Sequence, residues 1–302
     1  MTYNHEKFIK NAIDGILMQK TNFNIEVVIG DDFSTDNTLN LIRQYQSTDN
    51  IHLKILKREV GDEYWKVRQQ KGRLYNFSNI VDNCSGKYIA WLDGDDYWTD
   101  PLKLQKQVDF LEANPDYSLC FHRVYMDWGK SQTPFPKNEL QKDSFSTVDL
   151  FEDWFIPTSS VVFKRPNDFK FPEWFFHTSH GDLSLLLLMS LVGNLKYINQ
   201  YMGVYRMHDS GLSNRMSTIG MLATISFVYA NIARDSNFKV IDLAKEGLVK
   251  LATMQVERAV SLRTENLATD IIRNVDFISK KVSAMDLVRA IMLKISKRLR
   301  RS

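Results

Sequence analysis

Hydrophobic positions in the first 125 residues follow two alternating spacings. Between Glu6 and Met18 they recur every three or four residues, which predicts an amphipathic helix. Residues 25–29 form a short run rich in β-branched side chains, which predicts a strand. The same patterns predict helices over 37–45, 74–83 and 101–111, and strands over 51–56, 88–92 and 117–125. Strand and helix thus alternate, which predicts an α/β fold around a doubly wound, mostly parallel sheet.

Other segments show weaker periods. The charged segment 57–72 is predicted to be irregular, and 128–180 to form loops and short strands over a site. A buried helix is expected over 183–192, a strand over 194–198, and only helices from 216 onward. We therefore predict an α/β domain over 1–215, with halves at 1–125 and 126–215, and a helical C-terminal region over 216–302.

Composition narrows the class of protein. Of 302 residues, 44% are hydrophobic and 25% charged, as in folded soluble proteins, and a net charge of +3 is too small to indicate nucleic acid binding. Two cysteines indicate a reducing cytosol, and the polar first residues predict that there is no signal peptide. The longest apolar run, 183–192, is too short to span a bilayer, so we expect a cytoplasmic protein.

Acidic residues follow two of the predicted strands. Asp31 and Asp32 come after residues 25–29, and Asp93, Asp95 and Asp96 come after residues 88–92. In doubly wound sheets ligands bind at the carboxyl ends of strands. Three carboxylates so close together repel one another unless a cation neutralises them, and Mg²⁺ or Mn²⁺ prefers oxygen ligands. Asp32 could accept a hydrogen bond from a nucleobase. The alternative for both clusters is a polar turn that caps the next helix.

Four motifs together resemble the family 2 glycosyltransferases. They are Thr2-Tyr3-Asn4, the Gly30-Asp31-Asp32 turn with Ser34-Thr35-Asp36, Ser85-Gly86-Lys87-Tyr88-Ile89, and Leu92-Asp93-Gly94-Asp95-Asp96-Tyr97-Trp98. Their order and spacing match over roughly the first 210 residues. The resemblance implies a GT-A fold, with a nucleotide-binding half at 1–125 and an acceptor half at 126–215.

The resemblance also implies roles for individual residues. Tyr3, beside Thr2, would pack on the nucleobase, and Asp32, beside Asp31, would read it. Asp93 and Asp95 match the family's Asp-X-Asp motif, which contacts the ribose and a divalent metal, Mn²⁺ or Mg²⁺, and Asp96 adds a third acid. Nucleotide-sugar donors, uridine diphosphate sugars above all, are the implied substrates.

Three further residues take family roles. Asp182 precedes the buried helix at the place of the family's general base; the alternative is a plain helix cap. Arg206 would bind the diphosphate, and His208 would complete the metal shell. For both, the alternative is an ordinary surface arginine and loop histidine.

Sugar recognition and membrane contact are the remaining hypotheses. Thr158, Ser159, Trp98 and Trp174 supply hydroxyls and aromatic faces for an acceptor; the alternative for the aromatics is core packing. Residues 281–302 carry seven basic residues and one acidic residue along an apolar stripe. Such a helix can lie on the anionic inner face of the cell membrane, or can pack as a solvated tail on its own domain.

The combined prediction is an inverting, metal-dependent glycosyltransferase. It would transfer a sugar to a hydroxyl of a glycan or lipid-linked glycan, as in bacterial surface polysaccharide synthesis. The alternatives are a nucleotide-sugar-binding module without turnover and a Mg²⁺-dependent phosphotransferase. In the family a strand precedes the Thr2-Tyr3-Asn4 turn. We therefore expect the natural protein to begin several residues upstream of Met1.

Overall fold

The computed structural model describes residues 1–208, 218–236, 239–247 and 249–251. The helices are α1 (Ile9–Leu17), α2 (Thr38–Ile42), α3 (Glu63–Lys71), α4 (Leu74–Asn83), α5 (Lys103–Ala113), α6 (Thr147–Glu152), α7 (Gly181–Ser190) and α8 (Thr218–Asp235). The strands are β1 (Ile25–Ile29), β2 (Ile51–Ile55), β3 (Tyr88–Ala90), β4 (Tyr97–Trp98), β5 (Tyr117–Asp127), β6 (Gln132–Phe135), β7 (Ser144–Phe145), β8 (Val162–Lys164) and β9 (Asn194–Arg206). The basic tail over 281–302 lies outside the described residues.

The strands form two sheets with mixed directions. β1 and β2 pair in parallel. The larger sheet has the order β3-β8-β5-β9-β4, with β6 added to β5 and β7 to β9. Within it β5 and β9 run parallel, and the other pairings are antiparallel. The α/β class is as predicted, but the strand directions are more mixed than the predicted mostly parallel sheet.

Two helices, α3 and α6, occur in segments where no helix is predicted. α3 lies inside the charged segment 57–72, where hydrophobic periodicity is absent. The side chain of Asp62 caps it by accepting a hydrogen bond from the backbone N–H of Trp65 at 2.6 Å. The helix therefore depends on its cap and on tertiary contacts of Tyr64 and Arg68 more than on an amphipathic pattern.

Two apolar clusters hold the elements in place. Ile9 and Ile13 of α1 pack with Ile29 of β1 and Ile42 of α2. A second cluster joins β4, α5, β5 and β8 through Trp98, Leu104, Leu111, Cys120 and Val162. These contacts fix the end of β1 and the start of β4, next to which the acidic residues lie.

Met1 and Thr2 lie between the two sheets. Thr2 pairs in parallel with Asp31, just after β1. On the other side the Met1 N-terminus donates to the carbonyl of Leu92, and the N–H of Gly94 donates to the carbonyl of Met1. Next to these contacts is a cavity of about 540 Å³, lined by both β1 and β3.

The chain divides into two compact units. The first contains residues 1–149, 153–177 and 188–208 among those described, and the second contains 150–152, 178–187 and the described residues from 218 onward. The predicted boundary near residue 215 stays a prediction.

Candidate active site

The turn after β1 brings three predicted nucleotide-binding residues together. The N–H of Thr2 donates to the carbonyl of Gly30 at 3.2 Å, and the N–H of Asp32 donates to the carbonyl of Thr2 at 2.9 Å. This pairing places Tyr3 directly beside the acidic turn. Tyr3 is 53% exposed, so its ring is available to a ligand.

Asp31 and Asp32 make different contacts. Asp31 is buried and accepts from the backbone N–H and hydroxyl of Ser34, so it closes the polar turn after β1. Asp32 accepts from the Tyr64 hydroxyl at 3.0 Å and from two nitrogens of the Arg68 guanidinium, at 2.9 and 2.7 Å. Asp32 is thus held in one orientation by α3, and sequence patterns gave no signal for either partner.

The three acids after β3 differ in their surroundings. Burial raises the pKa of Asp93, and the Met1 ammonium group, 4.0 Å away, opposes this. Burial raises the pKa of Asp96 well above its ordinary value, and the charge of Asp95 adds to the effect. Asp96 is 2% exposed and accepts from the backbone N–H of Arg206 at 2.8 Å, so it ties β9 to the acidic turn.

Asp95 has the most cationic surroundings of the three. Burial alone would raise its pKa, but the hydrogen bond from His208 and the nearby His5 outweigh burial, and the net pKa is lowered. The Nε2 atom of His208 lies 3.0 Å from the Asp95 carboxylate, and that of His5 lies 3.7 Å from it. Asp95 is therefore the acid best suited to remain a carboxylate. His5 was not predicted from the sequence, because its proximity arises only from the fold.

Arg206 reaches the same cluster from the end of β9. Its guanidinium donates to the backbone carbonyl of Asp95 at 2.8 Å and to the Asn11 side chain at 3.1 Å. It also stacks over the rings of Tyr97 and Phe8, at 4.4 and 5.1 Å from their centroids. These contacts hold a cation beside the acids, where an anionic ligand would be bound.

Metal coordination is not preassembled in the described part of the chain. No group of three His, Cys, Asp or Glu side chains there is arranged to hold a metal ion. Asp95 and His208 nevertheless supply carboxylate oxygen and imidazole nitrogen at one point. Because Mg²⁺ is commonly held by one or two carboxylates together with substrate phosphates, two protein ligands are compatible with such an ion.

The predicted acceptor residues are mostly buried. Trp98 is 4% exposed, and its indole N–H donates to the backbone carbonyl of Ser159 at 2.8 Å. Ser159 and Trp174 are also buried, while Thr158 is half-buried. Burial favours core packing for these three buried side chains, and the acceptor assignment stays a prediction.

Asp182 lies in the second unit, in the first turn of α7. Its carboxylate accepts from the backbone N–H of Leu183 at 2.9 Å. Two residues earlier, the buried His180 has its Nδ1 atom 2.8 Å from the Thr224 hydroxyl of α8. This contact holds the carboxylate at the start of α7, and both the capping role and the general-base role stay predictions.

These features define an α/β protein with acidic turns beside its strands, and sequence comparison gives the family. The profile described as "Glycosyl transferase family 2" matches residues 1–176, more than half of the chain. The protein therefore belongs to glycosyl transferase family 2, as the four motifs predicted.

Curated relatives agree with this assignment. A Mycobacterium tuberculosis protein named as uncharacterised is 34% identical over 221 residues, which cover 70% of this chain and 58% of that protein. A Nostoc protein named as an uncharacterised glycosyltransferase is 28% identical, with coverage of 71% and 65%. TuaG of Bacillus subtilis, provisionally named a teichuronic acid biosynthesis glycosyltransferase, is 25% identical, with coverage of 70% and 79%.

Solved structures confirm the GT-A-type fold. Residues 1–349 of S. aureus TarS, in complex with UDP-GlcNAc, superpose with a TM-score of 0.66 at 16% identity, covering 93% of this chain and 79% of that TarS chain. A mannosyltransferase from Pyrobaculum calidifontis, in complex with GDP-Man and Mn²⁺, gives a TM-score of 0.52 at 15% identity, covering 97% and 84%. No helix in the described residues is long and apolar enough to cross a membrane.

Proposed function

We propose that the protein is an inverting glycosyltransferase that uses a uridine diphosphate sugar. One observation supports this most strongly: Thr2, Tyr3 and Asp32 adjoin the Asp93–Asp96 turn through the backbone pairing of Met1 and Thr2, and Arg206 and His208 reach the same turn. The named complexes of TarS with UDP and UDP-GlcNAc support the choice of donor.

The first step is donor binding. Tyr3 presents an exposed ring to the base, and Asp32, fixed by Arg68 and Tyr64, accepts the N–H of uracil. Arg206 binds the diphosphate as a cation held by Asp95 and Asn11. Asp95 and His208, with Asp93 in the same turn, would provide the site for Mn²⁺ or Mg²⁺, which when bound adds positive charge beside the diphosphate. Asp96, buried against Arg206, positions the turn.

The second step is transfer. Asp182 takes the proton from an acceptor hydroxyl, because a neutral hydroxyl is a weak nucleophile. The hydroxyl oxygen then bonds to the anomeric carbon on the face opposite the diphosphate, and the bond from that carbon to the diphosphate oxygen breaks. The electron pair leaves with uridine diphosphate, and Arg206 stabilises its negative charge. The anomeric configuration is inverted.

The acceptor and the setting are parts of the same proposal. The acceptor is a hydroxyl of a glycan or lipid-linked glycan in surface polysaccharide synthesis, which the name of TuaG supports. Sugar transfer takes place in the cytoplasm, and the basic segment 281–302 binds the inner face of the membrane.

Asp95→Asn and Asp182→Asn test the mechanism separately. Uridine diphosphate release and sugar transfer are measured with a panel of UDP-sugars, with and without Mn²⁺. Asp95→Asn is expected to weaken donor binding and lose the Mn²⁺ response. Asp182→Asn is expected to bind donor normally and to lose transfer by about 10²-fold or more. Full activity in both variants would refute the mechanism, and donor binding without any turnover in the wild type would indicate a binding module instead.

A further inference from the structure

Trp128 is an exposed aromatic residue at the tip of the hairpin between β5 and β6. It is 49% exposed, although a tryptophan ring gains much from burial. The ring is not loose, because its indole N–H donates to the Thr133 hydroxyl at 3.1 Å and its backbone N–H donates to the carbonyl of Ser131 at 2.9 Å. Gly129, at φ 79°, permits the tight turn beside it.

The hairpin tip adjoins the candidate active site. β5 and β9 run parallel at their ends, with Asp127 paired to Arg206. The N–H of Met207 donates to the carbonyl of Asp127 at 2.8 Å. The residues that follow this pair, Trp128 and Met207, therefore leave the sheet side by side. His208, one residue beyond Met207, contacts Asp95.

These contacts place the residues of the candidate site in a row from the turn after β1 to the β5–β6 hairpin. The row runs from the turn after β1, with Tyr3 and Asp32, through Met1 and Thr2 to Gly94 and Asp95. It continues through Arg206 and His208 to Asp127 and Trp128. If the base lies at the first end and the diphosphate at Arg206, the sugar side of the ligand lies toward Trp128.

We propose that Trp128 is a stacking platform for a pyranose ring of the acceptor glycan. A planar, exposed and tethered indole suits the C–H-rich face of a sugar, because it offers a large apolar area at little cost in side-chain entropy. This inference rests on the proposed function, because that function identifies the bound sugar as the acceptor. The binding of a sugar to Trp128 can be measured without turnover.

The test compares Trp128→Ala, Trp128→Phe and a matched control, Trp154→Ala, which removes a tryptophan of 40% exposure from another loop. Saturation-transfer NMR is recorded on the full chain with UDP and three probes: methyl β-glucoside, methyl β-galactoside and methyl α-mannoside. At least one glycoside is expected to bind the wild type. Trp128→Ala is expected to weaken that binding about two- to tenfold, Trp128→Phe less, and Trp154→Ala not at all.

Three results would overturn the inference: no glycoside binds the wild type, Trp128→Ala binds as the wild type does, or Trp154→Ala weakens binding equally. Release of uridine diphosphate from the donor without acceptor is measured in parallel. If the wild type releases and transfers sugar while Trp128→Ala keeps its glycoside affinity, the inference fails and the proposed function stands. If glycoside binding depends on Trp128 but no donor is turned over, the proposed function fails instead.

Discussion

Asp95 and Asp96 are neighbours in sequence, yet the fold shifts their pKa values in opposite directions. Two imidazoles near Asp95 favour its carboxylate, whereas Asp96 is buried against backbone and close to the charge of Asp95. The sequence predicted an acidic cluster at a strand end, but it could not predict that the pKa values of its members would differ. The lowered pKa of Asp95 depends on His5 and His208, which lie far from it in the sequence and approach it only in the fold.

The contacts of Asp32 lead to a prediction about the affinity for uridine diphosphate. Asp32→Asn replaces a charged acceptor for the uracil N–H with a neutral amide and loses the ion pair with Arg68. We expect the affinity for uridine diphosphate to fall about tenfold, as for the loss of one charge-assisted hydrogen bond. Isothermal titration calorimetry of the variant checks this. Asp31→Asn is the control for the neighbouring carboxylate, and equal losses in both variants would contradict a specific role of Asp32.

The burial of Lys103 leads to a prediction about how the free energy of unfolding depends on pH. It is fully buried, its ammonium group lies 4.1 Å from the Trp98 ring centroid, and its Nζ atom has no hydrogen-bond partner among the described residues. Burial lowers the pKa of Lys103 to about 7. Between about pH 7 and pH 10.4 the unfolded chain holds this proton and the folded protein does not, so the free energy of unfolding rises with pH by up to about 1.4 kcal/mol per pH unit.

Urea unfolding of Lys103→Met from pH 6 to pH 10 checks this expectation. The variant should be more stable than the wild type at pH 6, and the difference should shrink as the pH rises, because the burial cost disappears with the proton. Lys20→Met, at an exposed position, is the control. A stability difference that stays constant over this pH range would contradict the lowered pKa.

Element by element, prediction succeeded where hydrophobic periodicity was strong. α4 was predicted over 74–83 and occurs at Leu74–Asn83, because one face of that helix is apolar. β9 was predicted over 194–198 but continues to Arg206, since the exposed Asn199 and Gln200 interrupt its alternation. α3 was missed because its stability depends on a cap and on distant partners.

Gly15 shows how closely α1 packs on β4. A Cβ atom at this position would lie 2.9 Å from both the backbone N and the backbone O of Trp98. Gly15→Ala is therefore expected to destabilise the protein by about 1–3 kcal/mol, although alanine favours helix. Thermal unfolding measures the effect, and Lys10→Ala, on the exposed side of the same helix, is the matched control. A Gly15→Ala variant as stable as the control would show that the helix can move away from β4.

For the whole molecule, the segment 281–302 predicts attraction to anionic membranes. Replacing Arg298, Arg300 and Arg301 by Gln removes three charges, each of which contributes about 1 kcal/mol near such a surface. Co-sedimentation with phosphatidylserine vesicles should fall strongly in the triple variant, while neutral phosphatidylcholine vesicles serve as the control. Unchanged sedimentation with phosphatidylserine would favour the alternative of a tail packed on its own domain.

The cavity between β1 and β3 affects the volume change that accompanies unfolding. Unfolding removes internal voids and so lowers the volume of the system, which makes a protein with a large cavity sensitive to hydrostatic pressure. Ala90→Val adds methyl groups to the cavity wall, whereas Ala113→Val adds the same groups to an exposed position of α5. High-pressure fluorescence should find a higher unfolding midpoint for Ala90→Val alone. Pressure would then first disrupt the contacts between the two sheets. There Met1 and Thr2 connect the proposed base-binding turn to the acidic residues.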